Sequence, residues 1–389
     1  MTDNRVGSKW GDDNESTLTL LWTCLFTIFA CTYTVVDLNY PKIGESSRKI
    51  TQRRLGWFLL IVLVPEWTLY VAMGQYNECT EIKKLMKSLG YSDWTRTHSF
   101  FLFMGGFKLQ SQDGKICRLD KSSVERLHKV DVEPPFRMPE LSRQEIEDHG
   151  RVDSLAKAIV RGQLGWMMLQ ITARAGWAAE SLPVSQLEVM ALGYVALAIL
   201  CNCFWWHKPF DARTPIVILF DIDEYLSPAN ASSWARRKGN NAEDARWDKS
   251  SNGFYNYGLT GVLSISIAGA VFGAINCIGW NFSFASRAEL ILWRTCSTCI
   301  TLFPPTLASL YCLADYARHS FNYSRYSDLF ERLGSSSFMV WCGISVFFLY
   351  FAARIILLFQ TLFCLRSMPA AAFTTYTSVA WVNYIPHFG

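Results

Sequence analysis

In the stretch Leu55 to Gln75, LGWFLLIVLVPEWTLYVAMGQ, a proline and a carboxylate stand side by side, Pro65 and Glu66, and no other residue there is charged. A carboxylate in so apolar a setting has three uses. Burial can keep it neutral so that it serves as a general acid, a cation can hold it ionised and fix the register of packed helices, or it can line a path for a polar solute. The partners at hand are Arg294 in LILWRTC, Arg354 in YFAARII, and Asp315 with Arg318 in CLADYARH. Pro65 withholds a backbone N–H from the turn before it, and Pro304 with Pro305 do the same in TLFPPTL. Two bent helices carrying inward charges are a way to build a polar cavity inside an apolar protein.

Other chemistries leave no trace. The chain has no phosphate-binding glycine loop, no His-x-x-x-His pair and no G-x-S-x-G elbow, so no metal ion and no cofactor is expected. Its 6 histidines are scattered. Cys296 and Cys299 form a C-x-x-C inside an apolar run, where small thiols are ordinary packing residues. Cys79 and Cys117 are the two cysteines outside the apolar runs, and they are candidates for a disulfide if their region faces an oxidising compartment. Gly269 and Gly273 form a G-x-x-x-G, which suggests close contact between helices.

The elements that must position these groups are read from apolar clumping. Half of the residues are hydrophobic, 15% are aromatic and only 18% are charged. A membrane-crossing helix needs about 20 apolar residues in a row. Thr17 to Val36, Leu55 to Gln75, Val189 to Trp206, Gly258 to Trp280, Thr295 to Ala314 and Phe338 to Leu365 meet that requirement, which predicts an all-α polytopic membrane protein with six transmembrane helices. Gly162 to Ala173 is a possible seventh, although Lys157, Arg161 and Arg174 flank it closely and suit a helix lying in the interface.

The predicted organisation runs from a tail at 1–16 through two spans at 17–75, an insert at 76–186 and four spans at 187–365 to a tail at 366–389. The 187–365 part carries a basic loop at 208–257. The amino terminus, richer in acids than in bases, reads as preceding an uncleaved anchor. Lys42, Arg48, Lys49, Arg53 and Arg54 place the first loop in the cytoplasm, as Arg236 to Lys238 do for the 208–257 loop. With six spans the amino terminus and the insert then face the lumen or exterior, in the endoplasmic reticulum or plasma membrane.

Within the insert, Ile82, Leu85, Met86 and Leu89 mark one face of an amphipathic helix stopped at Gly90. Asp113 and Gly114 form a hairpin turn, and Ser142 with Glu145 read as a capping box with Leu141 and Ile146 as its staple. The insert is thus expected to be a small α+β unit containing a hairpin, either a compact cap on the membrane domain or a lid over a substrate site.

VPEWTLYVA, HSFFLFMGGF, WWHKPFD and the closing WVNYIPH resemble, across nearly the whole chain, a large group of fungal integral membrane proteins. The resemblance brings no activity with it. It implies that Pro65, Glu66, His98, Gly105, Gly106, Trp205, Trp206, Lys208, Pro209, Pro386 and His387 are the residues to test first, and it draws attention to His207 between them. The functional expectation is a membrane-embedded enzyme acting on a lipophilic small molecule, with Glu66 as its acid. The alternatives are a transporter, channel or receptor-like protein, or a membrane scaffold. The lipid bilayer is the expected partner, and nucleic acid is not.

Overall fold

The computed structural model describes residues 5–7, 17–35, 46–110, 116–129, 136–142, 145–146, 162, 165, 184–209, 215–219, 258–320 and 337–369. These residues are mostly helical. Strand β1 (Arg5–Gly7) leads to helices α1 (Thr17–Val35), α2 (Ser47–Leu63), α3 (Glu66–Ser88) and α4 (Arg96–Met104). Strands β2 (Phe107–Gln110) and β3 (Ile116–Arg118) precede α5 (Lys121–Lys129) and α6 (Gln186–Phe204). Strand β4 (Ile216–Leu219) is followed by α7 (Gly258–Cys277), a 3₁₀ turn (Ile278–Asn281), α8 (Arg287–Ser320), α9 (Ser337–Cys364) and strand β5 (Ser367–Pro369).

The largest departure from the sequence reading is at Pro65. Leu55 to Gln75 is not one kinked span: α2 stops at Leu63, α3 starts at Glu66, and the two axes bend by 113°. The residue before a proline is driven out of the helical region, and Val64 lies at φ −137°, ψ 70°. Beyond the break α3 runs on through Ser88, so the amphipathic face of Ile82, Leu85, Met86 and Leu89 is its second half rather than a separate helix. Pro304 and Pro305 act differently. Helix α8 continues through both, and Ser266 of α7 donates its hydroxyl to the Pro304 carbonyl at 3.0 Å.

The count of spans also changes. Among the described residues two helices are long and apolar enough to cross a membrane, Gln186–Phe204 and Gly261–Asn281, and a third if the bent pair Thr51–Leu63 and Glu66–Ser88 is one span. That is two or three, not six. Leu20–Thr32 of α1 and Phe348–Cys364 of α9 are shorter apolar stretches among the described residues. Even so, large apolar side chains stand on the outside of these helices, among them Trp22, Phe26 and Phe29 of α1 and Phe348, Phe359 and Phe363 of α9. Helices α7 and α8 pack closely enough that a Cβ at Gly273 would lie 2.5 Å from the Thr301 backbone nitrogen, as the G-x-x-x-G spacing suggested.

The described part of the insert contains the expected strand pair, with one strand more than expected. Strands β2 and β3 pair antiparallel, Lys108 opposite Arg118, while the turn itself lies outside the described residues. Strand β4, from the segment read as a basic loop, pairs parallel with β2, with Phe107 opposite Ile216 and Gln110 opposite Leu219. The sheet order is β3-β2-β4. The insert and the start of the 208–257 loop therefore sit on one side of the bundle, which corrects the scheme that put them on opposite faces. The reason is physical: Ile216 and Ile218 pack against the core of the cap, so the apolar alternation of IVIL belongs to a strand.

The capping box at Ser142 is present. Its N–H donates to Glu145 Oε2 at 2.6 Å, the Glu145 N–H returns a bond to Ser142 Oγ at 3.1 Å, and Ile146 is fully buried. One core links the cap with the bundle, from Phe100, Phe101 and Phe107 through Met190 and Tyr194 to Phe272 and Leu357. The Arg366 Nη2 to Glu289 Oε1 ion pair at 2.5 Å ties the end of α9 to the start of α8.

Candidate functional site

At the helix break, the last carbonyls of α2 have no next turn to bond. Two other helices serve them. Tyr194 of α6 donates its hydroxyl to the Val62 carbonyl, and Arg354 of α9 donates Nε to the Leu63 carbonyl at 3.4 Å. On the other side of the break, Trp67 and Thr68 return their N–H groups to the carbonyls of Val64 and Pro65 at 3.1 Å each. The guanidinium thus lies at the negative end of α2, and Glu66 occupies the first turn of α3, where the helix dipole favours an anion.

Glu66 and Arg354 face each other across this break. Oε1 and Nη1 are 3.6 Å apart, an ion pair too long for a hydrogen bond, and each side chain is only 1% exposed. The guanidinium lies 3.5 Å from the centre of the Phe272 ring and 5.8 Å from that of Tyr194, so aromatic faces cover the charge. The Tyr350 phenol interacts electrostatically with both members of the pair. Both carboxylate oxygens and both terminal guanidinium nitrogens lack a hydrogen-bond partner among the described residues. Helices α2, α3, α6, α7 and α9 meet at this one pair.

Of the partners expected for Glu66, Arg354 takes the role. Arg294 donates Nε to the Trp280 carbonyl at 3.0 Å, stacks on the Trp280 ring at 5.0 Å, and so caps the 3₁₀ turn. The side chains of Asp315 and Arg318 lie outside the described residues.

His98 proves to be a helix cap. Its Nδ1 accepts from the Thr95 N–H at 3.3 Å and lies 2.6 Å from Thr95 Oγ1, while Nε2 donates to the Leu141 carbonyl at 2.8 Å. The Leu141 bond joins α4 to the segment before Ser142, and Gly105 ends the same helix with φ 87°, a left-handed position that favours glycine. Burial lowers the pKa of His98, outweighing the opposite pull of the Leu141 carbonyl. The unfolded chain therefore takes up the proton first. The stabilisation is whole above about pH 6.5 and is lost as pH falls below it toward the folded value. Unfolding midpoints between pH 7 and pH 5 are expected to drop more steeply for the wild type than for His98→Gln, which removes the titrating ring.

The remaining candidates fall elsewhere. His207 is half-buried, and His387 lies outside the described residues. Cys79 is a buried free thiol, so the bridge to Cys117 is not formed; the Cys117 side chain is outside the described residues. Among the described residues no group of three or more His, Cys, Asp or Glu is placed to hold a metal ion.

Sequence reasoning missed Gln75. Its Oε1 accepts from Trp205 Nε1 at 3.0 Å and from Lys208 Nζ at 3.3 Å, and Lys208 lies 4.6 Å from the centre of a Trp205 ring. The W-W-H-K-P segment is thereby fastened to α3 two and a half turns beyond Glu66. A buried lysine demands such a partner, but nothing in the spacing identified which glutamine supplies it.

With this geometry in view, the chain belongs to a family of unknown function, DUF8562, whose model matches residues 6–236. No curated protein and no solved structure matches it. The matched part holds Glu66, Tyr194 and the Lys208 cluster, whereas Arg354 lies beyond it.

Proposed function

We propose that the protein is a multi-span integral membrane protein of the transporter or channel-like class, in which α2 and α3 form a re-entrant pair with Pro65 and Glu66 at its tip. The observation that carries the reading is the buried Glu66–Arg354 pair at a helix bent by 113°. Interrupted helices at membrane depth are tolerated where protein covers them or where they line a polar cavity, and half-helix ends there are common sites for ions and polar solutes. In the conformation described, Arg354 closes the site.

The parallel pairing of β2 with β4 supports the re-entrant geometry. The two strands share a side of the bundle. If α2 and α3 return to the face they left, then Arg48 to Arg54, the cap and β4 share the cytoplasmic face, in keeping with the charge rule. A cytoplasmic cap would also keep Cys79 and Cys117 reduced.

An enzyme using Glu66 as an acid on a lipophilic metabolite has less support. Such an acid needs room for a substrate beside it, whereas Arg354 stands 3.6 Å from the carboxylate and the cavity at the break is about 10 Å³. The test uses Lys49→Cys and Lys87→Cys, both at exposed positions, in sealed vesicles with a membrane-impermeant maleimide and peptide mapping. Labelling of both from the same side is expected. Labelling from opposite sides makes α2 and α3 a crossing and removes the re-entrant reading.

A further inference from the structure

We propose that the break between α2 and α3 holds one buried water molecule, seated between the Thr68 hydroxyl and the Ile61 carbonyl. A cavity of about 10 Å³ opens there, lined by Ile61, Pro65, Thr68, Tyr194, Cys31 and Cys201 among others. That volume is at the lower limit for one water, about 10–15 Å³. Thr68 is buried, and its Oγ1 has no hydrogen-bond partner among the described residues.

The second partner follows from the proline. Ile61 stands four residues before Pro65, whose ring nitrogen has no hydrogen to give, so its carbonyl is denied the bond a helix would supply. Its neighbours are served: Leu60 accepts from the Val64 N–H at 2.7 Å, Val62 from Tyr194 and Leu63 from Arg354. Thr32 also lines the cavity. Its own proton goes to the Ile28 carbonyl at 2.7 Å, which leaves its oxygen able to accept from the water.

A water donating to the Ile61 carbonyl and exchanging a bond with Thr68 satisfies both groups at once. A cation fits poorly, because much of the wall is thiol and aliphatic, from Cys31, Cys201, Leu197 and Ala198. The water is independent of whether the protein transports anything. It would let the two half-helices keep their angle without a direct bond across the break.

Thr68→Val tests this, because valine keeps the shape of threonine and removes only the hydroxyl. With a water in place, the variant strands it and unfolds in detergent at a temperature lower by roughly 2 °C or more. In a dry cavity the variant instead deletes an unpartnered buried hydroxyl, so an unchanged or higher midpoint would overturn the proposal. A density map that resolves ordered water should show a peak within hydrogen-bond distance of Thr68 Oγ1 and Ile61 O; an empty cavity in such a map would overturn it as well.

Discussion

Glu66→Gln is expected to lower the stability of the protein by about 3–5 kcal/mol, measured by denaturant unfolding in detergent at pH 7. The glutamine fits the space, so the loss is electrostatic. Arg354 is 1% exposed, cannot be deprotonated, and its terminal nitrogens have no hydrogen-bond partner among the described residues. Removing the carboxylate leaves that charge in an apolar surround of Phe272 and Tyr194. If Glu66 were instead a neutral acid, the same substitution would preserve both shape and charge, and stability would hold.

Gly273→Ala is the second large effect. Its new methyl group would lie 2.5 Å from the Thr301 backbone nitrogen and 2.6 Å from the Thr301 Cα. Backbone cannot swing aside as a long side chain can, so α7 and α8 must separate, at a cost of about 1–3 kcal/mol. Gly56→Ala in α2 is the control. Nothing lies within 4 Å of its added carbon, and alanine favours a helix interior by about 0.5–1 kcal/mol, so that variant should be slightly more stable. Parallel thermal unfolding of the two separates packing from helix propensity.

What the sequence made legible was local. The Ser142 capping box, the β2–β3 hairpin and the close approach at Gly273 all follow from short-range rules, and each is present. The partnership of Glu66 with Arg354 was one of several open pairings, because 288 residues of chain separate the two and spacing carries no information at that distance. Two features were hidden for a clearer reason. A proline in an apolar run kinks or breaks a helix according to what receives the carbonyls left at the bend; at Pro65 those of Val62 and Leu63 go to Tyr194 and Arg354, whereas α8 continues through Pro304 and Pro305. The four residues of β4 were too short to stand out beside a basic loop, and only their pairing with β2 reveals them. Among the described residues two or three helices are long and apolar enough to cross a membrane, against six apolar runs in the sequence.

The central claim is that Glu66 and Arg354 form one unit holding the broken helix, and a double-mutant cycle tests it most directly. Stability is measured for wild type, Glu66→Gln, Arg354→Met and the double variant. Because each partner's loss is costly mainly through the charge or space it leaves unmatched, the double variant should be more stable than the sum of the single losses predicts, by a coupling of about 1–3 kcal/mol. Additive losses, within about 0.5 kcal/mol, would mean that the two side chains act independently and that the pair does not hold the break.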